Sequence, residues 1–154
     1  EKSSLGGETS KLVEIVAYCL NPNHFHLILK QKNDKGIEKI MQRLGTGYTM
    51  YFNNKNKRSG NLFQGVFKSK HIDTNEYLIY LSAYVNLNDR IHNINDEEKI
   101  VFSSFKEYTD DNTNGICEKS VILNQYKNKK DYRNFLENSM SELIRQKEEK
   151  KELE

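Results

Sequence analysis

A chain of 154 residues is long enough for one domain with a real core and short for two. Apolar residues are 36% and charged residues 30%; no apolar run approaches the roughly eighteen residues of a membrane span, and no secretory signal is expected ahead of the first strand. Two cysteines, Cys19 and Cys117, supply neither a disulfide framework nor a paired zinc motif, so a reduced, cytoplasmic protein is expected, and the net charge of +2 says little until its distribution is followed.

In chain order, residues 1–11 are polar with Gly6-Gly7 and read as a loop. Residues 12–20 are apolar with β-branched and aromatic members, and Asn21-Pro22-Asn23 is turn punctuation. Residues 24–30 (HFHLILK) resume the apolar pattern, so 12–30 predicts a hairpin. A polar link, 32–35, leads to Gly36. Ile37, Ile40, Met41, Leu44, Tyr48 and Tyr51 then recur at helical spacing and predict an amphipathic helix over 37–53. Gly45 and Gly47 weaken it, because glycine inside a helix costs on the order of 1 kcal/mol. Residues 53–60 form a basic loop, and 61–72 (NLFQGVFKSKHI) read as a strand. Asp73-Thr74-Asn75-Glu76 is a helix start with an acid in the first turn; residues 77–87 follow in helical register. Residues 88–98 turn polar, 101–108 could fold back on the core, and 109–120 form a loop. Helical spacing returns over 131–144, and 145–154 reads as a charged, solvated helix end. The boundaries expected are a domain over 12–140 and a charged helix or tail over 141–154.

Chemistry is concentrated in the hairpin. Alternate side chains of a strand share a face, so His24, His26 and Ile28 point one way and Phe25, Leu27 and Leu29 the other. Two imidazoles on one face stand roughly 7 Å apart at Cα, close enough to converge on one cation. The same pair can equally be two partly exposed polar residues, since a metal needs further ligands. The 77–87 helix and its end offer them: Tyr84 and Asn88 are four apart and share a helical face. Asn88 could lend an amide oxygen, and Tyr84 a phenol to whatever the metal holds. Two imidazoles, one oxygen and open positions suit Mg²⁺ or Mn²⁺ on a phosphate, with Mn²⁺ the better match to imidazole. Against this, a tyrosine in an amphipathic helix is commonly core or boundary.

The block from Ala17 to Leu29, AYCLNPNHFHLIL, resembles the signature of the HUH single-tyrosine transposases, in particular their REP-associated branch. Later pieces follow in the same order. Residues 48–53 (YTMYFN) resemble the family's helix end, residues 58–65 (RSGNLFQG) its R-S-G-H-L-F-Q-G segment, and residues 84–88 (YVNLN) its Y-I-H-L-N. Residues 102–105 (FSSF) resemble W-S-S-Y, and 131–135 (DYRNF) a late helix. The resemblance implies an α+β fold, a ferredoxin-like antiparallel sheet with helices packed on it and the two histidines on a central strand. It also implies that Tyr84 is the nucleophile and that Asn88 completes a metal site with His24 and His26. The reaction implied is nicking and rejoining of single-stranded DNA through a 5′-phosphotyrosine intermediate, with a hairpin expected beside the cut.

Three departures from the pattern stand out. Asp89 replaces the usual proline after the asparagine, and its carboxylate could join or compete at the metal. Val66 replaces an arginine expected to touch phosphate. The strand and helix expected upstream of the hairpin are missing, which predicts a piece of a longer chain. For the DNA itself, Lys55, Lys57, Arg58, Lys68, Lys70 and His71 are interleaved with Phe63 and Phe67, with Gln64 between. Phosphate neutralisation and stacking rings are the mixture that single strands favour, although the same residues also describe a solvated surface with core phenylalanines. Lys127, Lys129, Lys130 and Arg133 could touch a hairpin stem. Monomer and homodimer both remain open, with no membrane partner. Two rival functions also stand: a decayed relative that binds DNA hairpins without cutting, and a metal-dependent RNA-processing enzyme or nuclease that uses water, with Tyr84 structural.

Overall fold

The computed structural model describes residues 11–92, 94, 101–111 and 113–152. The loop expected over 1–11 lies outside them except for Lys11, as does most of the polar stretch over 93–98. A hairpin opens the described chain: β1 (Val13–Leu20) and β2 (Phe25–Gln31). Next come α1 (Gly36–Lys55), α2 (Asn75–Asn86) and the one-turn α3 (Asn88–Ile91). The two-residue β3 (Phe102–Ser103), α4 (Phe105–Thr109), α5 (Ser120–Leu123) and α6 (Lys129–Glu152) complete it. The architecture is α+β: a three-stranded antiparallel sheet ordered β2-β1-β3 with helices packed on it, consistent with a ferredoxin-like fold.

Two expectations are corrected. Residues 61–72 form no strand; they are irregular. Among the described residues they find no ladder partner, and an extended segment without cross-strand hydrogen bonds has nothing to hold it extended. The histidine-bearing β2 is also an edge strand among the described residues, and β1 takes the central place. The far side of β1 is filled by β3, with Cys19 opposite Ser103 and Leu20 opposite Phe102.

The chain divides into two compact units, one holding residues up to 14 with 30–70, the other 15–29 with 71–154. Among the described residues every buried apolar side chain belongs to the second. Val16, Ala17, Cys19 and Ile28 of the hairpin join Ala83, Val85, Leu87, Ile91, Tyr108, Ile122, Tyr132, Leu136 and Leu143 in one core. Thr74 caps α2 by accepting a hydrogen bond from the Tyr77 amide at 3.2 Å, which satisfies one orphan donor of the first turn. A polar chain threads the apolar interior. Ser104 Oγ donates to Asn86 Oδ1 (2.6 Å), Asn86 Nδ2 donates to the Tyr132 hydroxyl (3.0 Å), and that hydroxyl donates to Ser82 Oγ (3.0 Å). Each group of this chain has a partner, so burial costs little, and α2, the start of α4 and α6 are tied together. The Tyr108 hydroxyl donates to the Val16 carbonyl at 2.6 Å and pins α4 to β1.

In the first unit Gly36 is the only buried residue among those described. A Cβ there would stand 2.2 Å from the Leu12 carbonyl oxygen, so glycine is required where α1 leaves the hairpin. Ile37 N donates to Gln31 Oε1 at 3.3 Å, and Glu14 pairs with Lys30 and Lys32.

Candidate metal and nucleophile site

The hairpin loop sets the first half of the site. Asn21 N donates to the His24 carbonyl at 2.9 Å, closing the turn around Pro22 and Asn23. His24 is therefore the last loop residue rather than the first of β2, and His26 is the second residue of the strand. Their rings meet edge to face with centroids 5.2 Å apart. Two imidazoles that share a metal, each nitrogen roughly 2.1 Å from it, have centroids about 4.5–5.3 Å apart for bond angles of 90–110°. The observed separation falls in that interval.

The second half comes from α2 and α3. Tyr84, Asn88 and His92 recur every fourth residue, so one helical face carries all three. The break at Leu87 does not interrupt it, because Leu87 N bonds to Ala83 O, and His92 N bonds to Asn88 O. Tyr84 is half-buried and sets its ring edge to face against His26, centroids 5.5 Å apart. His92 stands 6.0 Å from His24 by the same measure. Asn88 is fully buried.

Asn21 joins the halves. Its Nδ2 lies 2.9 Å from His24 Nε2 and donates to Asn88 Oδ1 at 2.7 Å. His24 Nδ1 lies 2.7 Å from Asn23 Oδ1. An amide oxygen can only accept, so Nδ1 carries the ring proton and Nε2 presents a lone pair. A ring N–H held by a carbonyl oxygen is the usual orienter of a metal-binding imidazole. Two lone pairs, one imidazole and one amide, thus converge on a single electropositive nitrogen, as they would on a cation. Burial first, then the charges of His24 and His92, hold the His26 imidazole below its ordinary value, which favours the neutral ring a metal needs. His92 is lowered by burial, then by Lys147 and His24. The donor set present therefore fits a divalent ion: His24 Nε2, the His26 imidazole and Asn88 Oδ1. Among the described residues no group of three or more His, Cys, Asp or Glu side chains is placed to hold a metal ion, so an amide would have to be the third ligand.

A family model described as "Transposase IS200 like" matches residues 7–88, more than half of the chain, and ends on Asn88. The chain belongs to this family. No curated protein and no solved structure matches it. Asp89, which stands where the resemblance implies a proline, has its Oδ1 buried with no hydrogen-bond partner. Its charge lies toward Cys19, whose thiol is pushed up to about 11 by burial first and Asp89 second. Asn88 Nδ2 is likewise buried and unpartnered.

Of the residues expected to meet DNA, Lys55, Lys57, Arg58, Phe63, Gln64, Phe67, Lys68 and Lys70 belong to the other unit, while His71, Lys127, Lys129, Lys130 and Arg133 belong to the unit of the histidines. Lys55 ends α1. Lys57 adopts a left-handed φ of 50° in the loop that follows. Arg58, Phe63, Gln64, Lys68 and Lys70 continue along the irregular stretch, all exposed. Two residues escaped the sequence reading. Asn21 looked like turn punctuation, and nothing in its neighbours distinguishes a turn former from a side chain aimed inward. His92 was legible in principle, since it continues the four-residue spacing of Tyr84 and Asn88.

Among the described residues no helix is long and apolar enough to cross a membrane.

Proposed function

We propose that this transposase nicks single-stranded DNA and transfers the cut strand through a 5′-phosphotyrosine on Tyr84. The observation that carries the reading is the meeting of two elements: Tyr84 lies against His26, and Asn88 Oδ1 shares a single nitrogen with His24 Nε2.

The Tyr84 phenol oxygen attacks the scissile phosphorus, a phosphotyrosine bond forms, and the P–O3′ bond breaks. The phenol proton is lost and the departing 3′-oxygen gains one. Because the new ester keeps one phosphodiester bond, a 3′-hydroxyl can attack it in reverse and release Tyr84. Splitting one displacement into two is what covalent catalysis offers. His24, His26 and Asn88 would hold Mg²⁺ or Mn²⁺, which supplies polarisation of a non-bridging phosphate oxygen. Asn23 holds the His24 ring in the tautomer this requires. Its half-burial and its contact with His26 restrict the Tyr84 ring, so little ordering remains when DNA arrives.

The test is a denaturing gel of labelled single-stranded DNA carrying a hairpin, incubated with the protein and Mn²⁺. A protein–DNA adduct that Tyr84→Phe abolishes is the expected result. Cleavage that survives Tyr84→Phe would point to water as nucleophile and sink the proposal. Binding without any adduct would leave a hairpin-binding protein.

A further inference from the structure

Among the described residues much of the apolar stripe of α1 stays exposed. Leu44, Tyr48 and Tyr51 are 44%, 47% and 59% exposed, although their helical spacing is that of a core-facing side. The rings are organised. Tyr48 is the hub, with centroids 6.3 Å from Tyr51, 6.2 Å from Phe52 and 6.3 Å from Phe63. Cations lie on the same cluster: Lys55 Nζ is 5.8 Å from the Tyr51 ring and the Arg58 guanidinium 5.7 Å from that of Phe52. Charge singles the region out further. Residues 36–70 hold seven Lys or Arg against one Glu, while the whole chain carries only +2. An apolar partner would leave those cations unmatched.

We propose that Tyr48, Tyr51 and Phe63 form a base-stacking platform for single-stranded DNA, with Lys55 and Arg58 meeting the phosphates between the stacked bases. Rings offer π-faces to any base, and the flanking cations release counterions from the backbone. The platform rests on the single-stranded substrate proposed above and assigns Tyr48 and Tyr51 a role in holding it. It predicts sequence-tolerant binding of a strand that has left its duplex, because paired bases show no face.

The experiment uses the full chain with Tyr84→Phe, so that no covalent adduct contributes, and a fluorescent oligothymidylate read by anisotropy across a salt series. Tyr48→Ala with Tyr51→Ala is expected to weaken binding about tenfold or more at every salt concentration, without changing the slope of log affinity on log salt. Lys55→Ala with Arg58→Ala is expected to flatten that slope. Tyr48→Phe with Tyr51→Phe keeps the rings and should bind like the parent. Circular dichroism of each variant checks that the fold is intact.

Unchanged affinity in the double alanine variant overturns the platform. So does a dimer in sedimentation that the same substitutions dissolve without altering DNA affinity, because the face would then be an interface between copies. A fall in affinity that the double phenylalanine variant shares also overturns it, since the hydroxyls rather than the rings would be responsible. Adduct formation by the wild-type chain is scored separately, so the platform can fail with the chemistry intact, or stand where the chemistry fails.

Discussion

The two units of the chain use their apolar residues in opposite ways. The unit of residues 15–29 and 71–154 places thirteen of its described apolar residues in one core, with Tyr84 packed against it and Asn88 buried beside it. The unit around α1 buries only Gly36 among its described residues and concentrates cations and exposed rings. One region packs its apolar side chains together; the other leaves most of its own exposed. Core truncation measures this contrast most strongly. Leu136→Ala, at a fully buried position, should cost about 2–5 kcal/mol in urea denaturation. Leu44→Ala, nearly half exposed, should stay within about 0.5 kcal/mol. Similar losses at the two positions would mean that α1 is packed, and the contrast would fail.

The polar thread sharpens the comparison within the core-bearing unit. Asn86→Ala removes a donor to Tyr132 and an acceptor for Ser104, leaving both inside the protein without that partner. A loss of about 1–3 kcal/mol is expected for an orphaned buried group, read by the same denaturation. No loss would mean that water replaces the amide and the interior is less dry than its burial implies.

How much could be read from the chain follows the same division. The hairpin, the α2 start at Thr74 and the long helix through Tyr132 and Leu136 were legible, because local spacing and tertiary burial agree there. The helical stripe of α1 was legible as a pattern but not as an exposed face, since periodicity reports which side is apolar and not what covers it. Residues 61–72 misled for a related reason. Alternation of Phe67, Ser69 and His71 with cations suits a strand, yet a strand exists only where a neighbour offers a ladder. In the site, the pairing of Tyr84 with Asn88 follows from the helix period, while His24 lies just before the strand that carries His26. The position of Asn21 between them depends on a turn conformation that the residues Asn-Pro-Asn leave open.

Asn21 gives the next prediction. Its Nδ2 takes up the two lone pairs that the proposed cation would use, so the amide and that cation would compete. Asn21→Ala should tighten Mn²⁺ binding about three- to tenfold in calorimetry, the equivalent of one net hydrogen bond released from competition. Weaker binding would assign Asn21 the opposite task, holding the turn so that His24 faces Asn88. Either result is read from metal affinity and does not depend on turnover.

The smallest expected effect returns to α1. Gly45 sits in the interior of the helix, and a Cβ there would meet nothing within 4 Å. Alanine at this position therefore restricts the unfolded chain and favours the helix without a clash, a gain of about 0.5–1 kcal/mol. Where the gain shows depends on how the two regions are coupled. A helix without a core draws its stability from its own propensity, so its amides should open locally, well below the cost of unfolding the other unit. Gly45→Ala should then slow hydrogen exchange across α1 while the amides of β1 and α6 keep their rates. A uniform slowing throughout the chain would show the two units unfolding together, and the contrast between them would be one of exposure rather than of stability.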